Sequence, residues 1–107
     1  MKKVYIASPY IIGDIGKNMY LHLSAASRLA TNGFCPVAPL LYHFVHMHEP
    51  LGDERRWTEI SLCLLEGCHA LLRLGGESKG ADAEVARADK LDIPVYFTIG
   101  HLLREQS

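Results

Sequence analysis

One carboxylate, Glu84, falls where helical spacing brings it next to apolar side chains. The segment LGGESKGADAEVARA, residues 74–88, starts as a Gly-rich loop and continues with the pattern of a helix. At about 100° per residue, one face of that helix carries Ala81, Val85 and Ala88. Glu84 lies on the edge of this face, where a carboxylate can serve as a nucleophile. The alternative is an acid that only stabilises the N-terminus of its helix.

The loop before Glu84 matches no standard nucleotide-binding motif. In the GxxxxGKS/T phosphate loop the lysine follows the second glycine, whereas here Lys79 precedes Gly80. The spacing of GGESKG also differs from the GxGxxG dinucleotide motif. Ser78 and Lys79, with the amides of Gly80 and Ala81, could still bind an anion at the start of a helix. Ser78 could equally be a simple N-cap, and the two roles are compatible.

Alternating strands and helices must position these residues. Four apolar runs predict strands, at residues 3–8, 34–41, 69–74 and 93–99, and the first of them is rich in β-branched and aromatic residues. Helical patterns lie between them, at about 18–31, at 54–66 and after Ser78, with a short helix near residues 40–46 and a final turn or two at 101–107. This alternation predicts an α/β fold in which a parallel sheet is covered on both faces.

Ligands of such sheets bind outside the carboxyl ends of the strands. The loops of interest are therefore Ser8–Lys17, the His-rich segment after the second strand, and Gly75–Gly80. Glu84 belongs to the helix that leaves the third loop, so its carboxylate is expected to point toward the ligand.

Composition narrows the class of protein. Hydrophobic residues make up 49% of the 107 residues, which is typical of one globular domain spanning residues 1–107. Eleven Lys and Arg against twelve Asp and Glu give a net charge of −1. The sequence contains no basic run of the kind that binds a nucleic acid polymer, so such a partner is not expected. No apolar run is long enough for a membrane span or a signal peptide. Three cysteines without a CxxC pair predict reduced thiols in a cytoplasmic protein.

Histidines cluster after the second strand, at positions 43, 46 and 48. His43 and His46 are spaced i,i+3 and could share a helical face, but no cysteine is near them and only Asp53 and Glu54 follow. We therefore predict no metal site. His43 is instead a candidate for the ligand pocket, the alternative being an ordinary loop histidine.

Three parts of the sequence resemble the nucleoside 2-deoxyribosyltransferase superfamily: YIASPY at the first strand, Trp57 four residues before the helical polar position 61, and ALLRLGGESKGADAEVA. The similarity points in particular to its small bacterial and phage members and to the related 2′-deoxynucleoside 5′-phosphate N-hydrolases. It implies a flavodoxin-like, three-layer α/β domain with a parallel sheet of four to five strands. It also implies cleavage of the N-glycosidic bond of a 2′-deoxynucleoside or its 5′-monophosphate, without a cofactor, by a homodimer or larger homo-oligomer.

The resemblance also implies roles for individual residues. Glu84 matches the nucleophile of the family, and Tyr5 matches the tyrosine that helps to hold it. Ser78, together with Gly80, matches the position that binds the sugar or phosphate. The loop that surrounds the sugar contributes further substrate-binding candidates, which are Ser8, Pro9, Tyr10 and Gly13. Trp57 is expected to pack its helix onto the sheet, or alternatively to form a wall of the base pocket.

One position departs from the family pattern. The aspartate that helps to handle the leaving base is replaced by Ser61, and the acidic residue that opens the third strand is replaced by His69. A serine can hydrogen-bond a base but is a poor proton donor, so a histidine such as His43 could supply the proton. Two further functions stay open: transfer of the deoxyribosyl group to another base, and a nucleotide-binding or sensing domain without catalysis.

Overall fold

Four parallel strands form one sheet in the computed structural model, which describes residues 1–107. The strands are β1 (Lys3–Ala7), β2 (Cys35–Val37), β3 (Ala70–Arg73) and β4 (Val95–Tyr96). They lie in the order β2-β1-β3-β4, and each neighbouring pair is parallel. The predicted parallel sheet is confirmed.

Five helices flank the sheet. They are α1 (Ile15–Thr31), α2 (Tyr42–His48), α3 (Glu54–Leu65), α4 (Lys79–Lys90) and α5 (Ile99–Gln106). A 3-10 turn at Pro39–Leu41 leads into α2. Helices α1 and α5 pack against one face of the sheet, and α3 and α4 pack against the other. The molecule therefore has the three layers that the alternation predicts.

Strand β1 contributes to the hydrophobic core on both faces, because successive side chains of a strand point in opposite directions. Val4 and Ile6 lie in the core cluster that includes residues of α1 and α5. Tyr5 and Ala7 lie in the second cluster, with residues of α3 and α4. Tyr5 is therefore on the face of the sheet that is covered by the helix carrying Glu84.

The first helix starts earlier than the sequence pattern predicts. Asp14 is its N-cap, and the carboxylate of Asp14 accepts a hydrogen bond of 3.0 Å from the amide of Lys17. The loop after β1 therefore spans residues 8–14 and not 8–17, because Ile15 to Lys17 belong to α1.

Strands β2 and β4 are shorter than predicted. Pro39 has no amide hydrogen for a sheet, and the chain enters the 3-10 turn at this residue. After Tyr96 the chain turns into α5, since the hydroxyl of Thr98 caps that helix by accepting from the amide of His101 at 3.2 Å. Apolar runs locate these strands, but Pro39 and the capping side chain of Thr98 decide where they end.

The order of the strands creates a crevice at one edge of the sheet. The chain passes from β1 to β2 on one side and then crosses back to place β3 on the other side of β1. In open parallel sheets, ligands bind outside the carboxyl ends of the strands at such a reversal. The loops after β1, β2 and β3 meet there.

Candidate active site

A cleft of about 980 Å³ lies at the carboxyl ends of the strands. Its walls are formed by the loop after β1, by α2 and α3, and by α4 along its whole length. Seven of the ten candidate residues line it: Ser8, Tyr10, His43, Ser61, Ser78, Gly80 and Glu84. A ligand the size of a nucleotide fits such a volume.

Tyr5 holds the Glu84 carboxylate from the buried side of the cleft wall. The Tyr5 side chain is fully buried and does not line the cleft itself. Its hydroxyl donates a hydrogen bond to Oε2 of Glu84, which is half-buried in the cleft wall. A residue of β1 thus fixes the orientation of a carboxylate 79 positions later in the chain.

The surroundings of Glu84 act on its charge in opposite directions. Burial raises the pKa of Glu84 to about 7, because a desolvated carboxylate is costly. The hydrogen bond from Tyr5, the neighbouring Ser61 hydroxyl and the charge of Arg73 lower the pKa and limit the rise. Burial and the adjacent Glu84 carboxylate raise the pKa of Tyr5, so its hydroxyl stays protonated as a donor. At neutral pH a substantial fraction of Glu84 is therefore ionised and partly desolvated, as a nucleophile requires.

Arg73 connects the end of β3 to the start of α4. Its guanidinium is almost buried and donates to the carbonyl of Leu74, to the carbonyl of Gly76 at 2.8 Å, and to Asp82 at 3.1 Å. These bonds hold the loop that precedes α4 and, through it, the first turns of the helix. An arginine inside an otherwise apolar strand was the sequence signal for this arrangement, but its partners were not predictable.

The start of α4 differs from the anion site suggested by the sequence. The Ser78 hydroxyl is the N-cap and accepts from the amide of Ala81 at 3.0 Å. The Ala81 amide is therefore not available to a ligand, contrary to the expectation. The amides of Lys79 and Gly80, in the first turn, have no partner within the helix and lie at the cleft.

Besides Tyr5, two of the candidate residues lie outside the cleft lining. Pro9 is buried, and a Cβ atom placed on Gly76 would lie 2.9 Å from its Cγ. Pro9 thus packs the loop after β1 against the loop after β3. Gly13 has a φ of +87°, so it provides a left-handed turn just before α1. Both residues shape the walls and do not themselves face the cavity.

Aromatic rings form the wall of the cleft opposite α4. The rings of Tyr10 and Trp57 are 5.3 Å apart between centroids, and those of His46 and Trp57 are 5.4 Å apart. The Tyr10 hydroxyl is hydrogen-bonded to Nδ1 of His43. Trp57 therefore faces the cleft, and of its two expected roles the structure favours the pocket wall over packing onto the sheet.

His22 was not predicted as part of this region. It is a fully buried residue of α1, and its Nδ1 lies 2.7 Å from Oγ of Ser8. Burial lowers the pKa of His22 to about 4, so the ring is neutral at physiological pH. The only sequence signal is its i,i+3 spacing from Met19, another buried residue of α1.

No three His, Cys, Asp or Glu side chains lie close enough together to hold a metal ion. Nδ1 of His46 accepts a hydrogen bond of 3.0 Å from the amide of Leu51 and is engaged in the local structure. None of the five helices has the length and apolar composition that a membrane span needs.

The chain belongs to a family described as a domain of unknown function (DUF7768), whose profile matches residues 2–98. Among solved structures, the chain is similar to the 2-deoxyribosyltransferase from the psychrotolerant bacterium Bacillus psychrosaccharolyticus. The TM-score is 0.67 and the identity 18%, over 87% of this chain and 69% of that chain. The likeness shows that the fold is the flavodoxin-like α/β fold of that enzyme. No curated protein sequence matches the chain.

Proposed function

We propose that this domain cleaves the N-glycosidic bond of a 2′-deoxynucleoside or its 5′-monophosphate, with Glu84 as the nucleophile. The observation that carries the proposal is the hydrogen bond from the buried Tyr5 hydroxyl to Glu84 at the wall of the cleft. A carboxylate that only stabilised its helix would have no need of a buried tyrosine donor 79 residues away. The fold shared with a 2-deoxyribosyltransferase supports the same class of reaction.

The reaction proceeds in two displacements. A carboxylate oxygen of Glu84 attacks the anomeric carbon, and the carbon–nitrogen bond breaks with its electron pair leaving on the base. The base takes up a proton. Water then attacks the same carbon, loses a proton and releases the Glu84 carboxylate, so the configuration of the sugar is retained.

The remaining candidates have positions that suit the two ends of the substrate. Ser8 lies on the floor of the cleft, and Ser78 and Gly80 lie at the start of α4, where a sugar hydroxyl or a phosphate would meet helix amides. Tyr10 and Trp57 offer a stacking surface for the base at the aromatic wall.

Ser61 does not replace the aspartate as a proton donor for the leaving base, because a serine hydroxyl does not release its proton near neutral pH. It lies beside Glu84 and lowers the pKa of that carboxyl. The proton for the leaving base is assigned instead to the hydrogen-bonded pair of Tyr10 and His43. His43→Phe, which removes the ring nitrogen bonded to Tyr10, should slow release of the base, and an unchanged rate would contradict this assignment.

The proposal is tested by chromatographic detection of free base after incubation with 2′-deoxynucleosides and their 5′-monophosphates. Glu84→Ala should abolish release of the base, because no carboxylate remains to form the glycosyl intermediate. Glu105→Ala, on the exposed surface of α5, is the matched control and should retain activity. Equal release by the Glu84→Ala protein and the parent would refute the role of Glu84.

Transfer of the sugar is the second candidate, because the shared fold is that of a transferase. Adding a second free base distinguishes the two reactions. Transfer yields the new deoxynucleoside, whereas hydrolysis yields the free sugar and the free base without a new deoxynucleoside. A folded protein that binds a nucleotide and releases no base from any substrate would support a non-catalytic binding domain, as the serine at position 61 allows.

We further propose that residues 1–107 act as one catalytic unit in a cytoplasmic homodimer or larger homo-oligomer. At the mouth of the cleft the side chains of Ile11, Ile12 and Ile15 are 69%, 49% and 40% exposed. Adjacent exposed apolar side chains are characteristic of a surface that another chain covers. Light scattering after size-exclusion chromatography tests this, and a monomer at all concentrations would contradict it.

A further inference from the structure

His22 is a polar side chain that the proposed reaction does not use. It lies on the inner face of α1, with no exposed surface, below the loop that follows β1. A buried polar ring is costly unless both of its nitrogens find partners. Both do so here, with Ser8 on one side and the backbone of Leu40 on the other.

The two partners determine which nitrogen carries the hydrogen. The backbone amide of Leu40 donates to Nε2 of His22 at 3.4 Å, and an amide can only donate. Nε2 is therefore the acceptor nitrogen, and the single hydrogen of the neutral ring is on Nδ1. Nδ1 then donates to Oγ of Ser8, at a distance of 2.7 Å.

This direction of the hydrogen bond has a consequence for Ser8. Oγ of Ser8 receives the hydrogen of His22 and has no other hydrogen-bond partner in the protein. Its own hydroxyl hydrogen is left for a group in the cleft that Ser8 lines. We propose that His22 is a positioning residue that makes Ser8 a hydrogen-bond donor to an acceptor oxygen of the ligand.

The chemistry of Ser8 defines the ligand group that fits. A donor hydroxyl at the carboxyl end of β1 favours an oxygen with free lone pairs, which is either a sugar oxygen or a phosphate oxygen of the substrate. An N–H group of a base at this place could use only the second lone pair of Oγ and would leave the hydroxyl hydrogen of Ser8 unpaired. The identity of the substrate in this assignment rests on the proposed function. The direction of the hydrogen bonds rests only on the contacts of His22.

Two substitutions separate the two contacts of His22. The amide of glutamine can keep the acceptor for Leu40 at the place of Nε2 but has no donor at the place of Nδ1. The amide of asparagine keeps a donor for Ser8. His22→Gln should therefore raise KM or Kd about five- to tenfold, the effect of losing one hydrogen bond, with a smaller change in kcat. His22→Asn should recover most of the loss.

Ser8→Ala provides a readout that a merely structural role would not change. In the Ser8→Ala protein, His22→Gln should have no further effect on KM or Kd, because His22 acts only through the Ser8 hydroxyl. A further fivefold loss in that background would overturn the proposal.

Comparison of a 2′-deoxynucleoside with its 5′-monophosphate shows whether Ser8 contacts a sugar oxygen or a phosphate oxygen. If the contact is to the phosphate, His22→Gln should raise KM or Kd for the monophosphate only. If the contact is to the sugar, it should raise KM or Kd equally for both compounds.

The tautomer itself is measurable without any substrate. A long-range nitrogen–proton correlation spectrum of the ¹⁵N-labelled parent should show hydrogen on Nδ1 and none on Nε2 of His22. Hydrogen on Nε2 would overturn the proposal. If no substrate is turned over, the same variants are compared by calorimetric titration with a 2′-deoxynucleoside 5′-monophosphate. Failure of the proposed reaction is thereby distinguished from failure of this inference.

Discussion

At the scale of single residues, the proposed nucleophile Glu84 combines two opposing requirements of a reactive carboxylate. Burial in the cleft wall makes the carboxylate reactive but raises its pKa to about 7. The Tyr5 hydroxyl stabilises the ionised form and limits that rise. In the proposed reaction only the ionised form attacks the sugar, so the pH dependence of activity is expected to report on the pair of Glu84 and Tyr5.

The first prediction concerns that pH dependence. We expect kcat/KM to rise about tenfold per pH unit below pH 7 and to level off above it, as Glu84 ionises at a pKa of about 7. Tyr5→Phe removes a hydrogen bond that lowers this pKa, so the rising limb should move to higher pH. The measurement is kcat/KM between pH 5 and 9.

Tyr20→Phe is the matched control for this experiment, because Tyr20 is exposed on α1 and lies outside the cleft lining. Its profile should coincide with that of the parent. A Tyr5→Phe profile with an unchanged rising limb would show that the Tyr5 hydroxyl does not act on the ionisation of Glu84.

At the scale of elements, the position of Glu84 depends on how two loops fit together. Arg73 links the end of β3 to the loop and to α4 through Gly76 and Asp82. Pro9, from the loop after β1, packs against Gly76 on the other side. The start of α4 is therefore held by contacts from two neighbouring strands.

The second prediction uses two adjacent glycines of this loop. Gly76 has a φ of +110°, and an added Cβ would lie 2.9 Å from Pro9, so Gly76→Ala should destabilise the fold by about 2 kcal/mol. Nothing lies within 4 Å of a Cβ at Gly75, which makes Gly75→Ala the matched control. Its effect should stay within about 0.5 kcal/mol. Urea unfolding of both variants tests the difference, and equal stabilities would contradict it.

At the scale of the whole molecule, Glu84 and His22, both desolvated by the fold, make the free energy of unfolding change in opposite directions with pH. Glu84 has a pKa of about 7 in the fold against 4.5 in the unfolded chain, so its contribution is present below pH 4.5 and is lost as the pH rises through 7. His22 has a pKa of about 4 against 6.5, so its contribution is present above pH 6.5 and is lost as the pH falls through 4. Between pH 4.5 and 6.5 the two effects offset each other.

The third prediction follows from this compensation. Compared with the parent, Glu84→Gln should become more stable as the pH rises, by up to about 3 kcal/mol above pH 7. His22→Gln should lose stability more slowly than the parent as the pH falls from 6.5 to 4. Urea unfolding at pH 4.5, 5.5, 6.5 and 8 measures both slopes. Parallel curves for the three proteins would show that these groups do not titrate as described.

Much of this architecture was predictable, because periodicity is a local property of the chain. The apolar runs located all four strands, and the helical spacing of Ala81 and Ala88 placed Glu84 at the edge of a buried face. The ends of elements were less predictable. Asp14 and Thr98 cap helices where the apolar pattern alone indicated a loop and a strand.

The sequence by itself determined the parallel three-layer arrangement and the edge of the sheet at which its polar loops meet, since both follow from the order of strands and helices. Only the tertiary structure decided which side chains meet across that edge. The partners of Arg73, the inward position of His22 and the turn of Trp57 toward Tyr10 depend on contacts between distant segments. Local spacing shows which face of an element is buried, but the partner on the other side is set by how the elements pack.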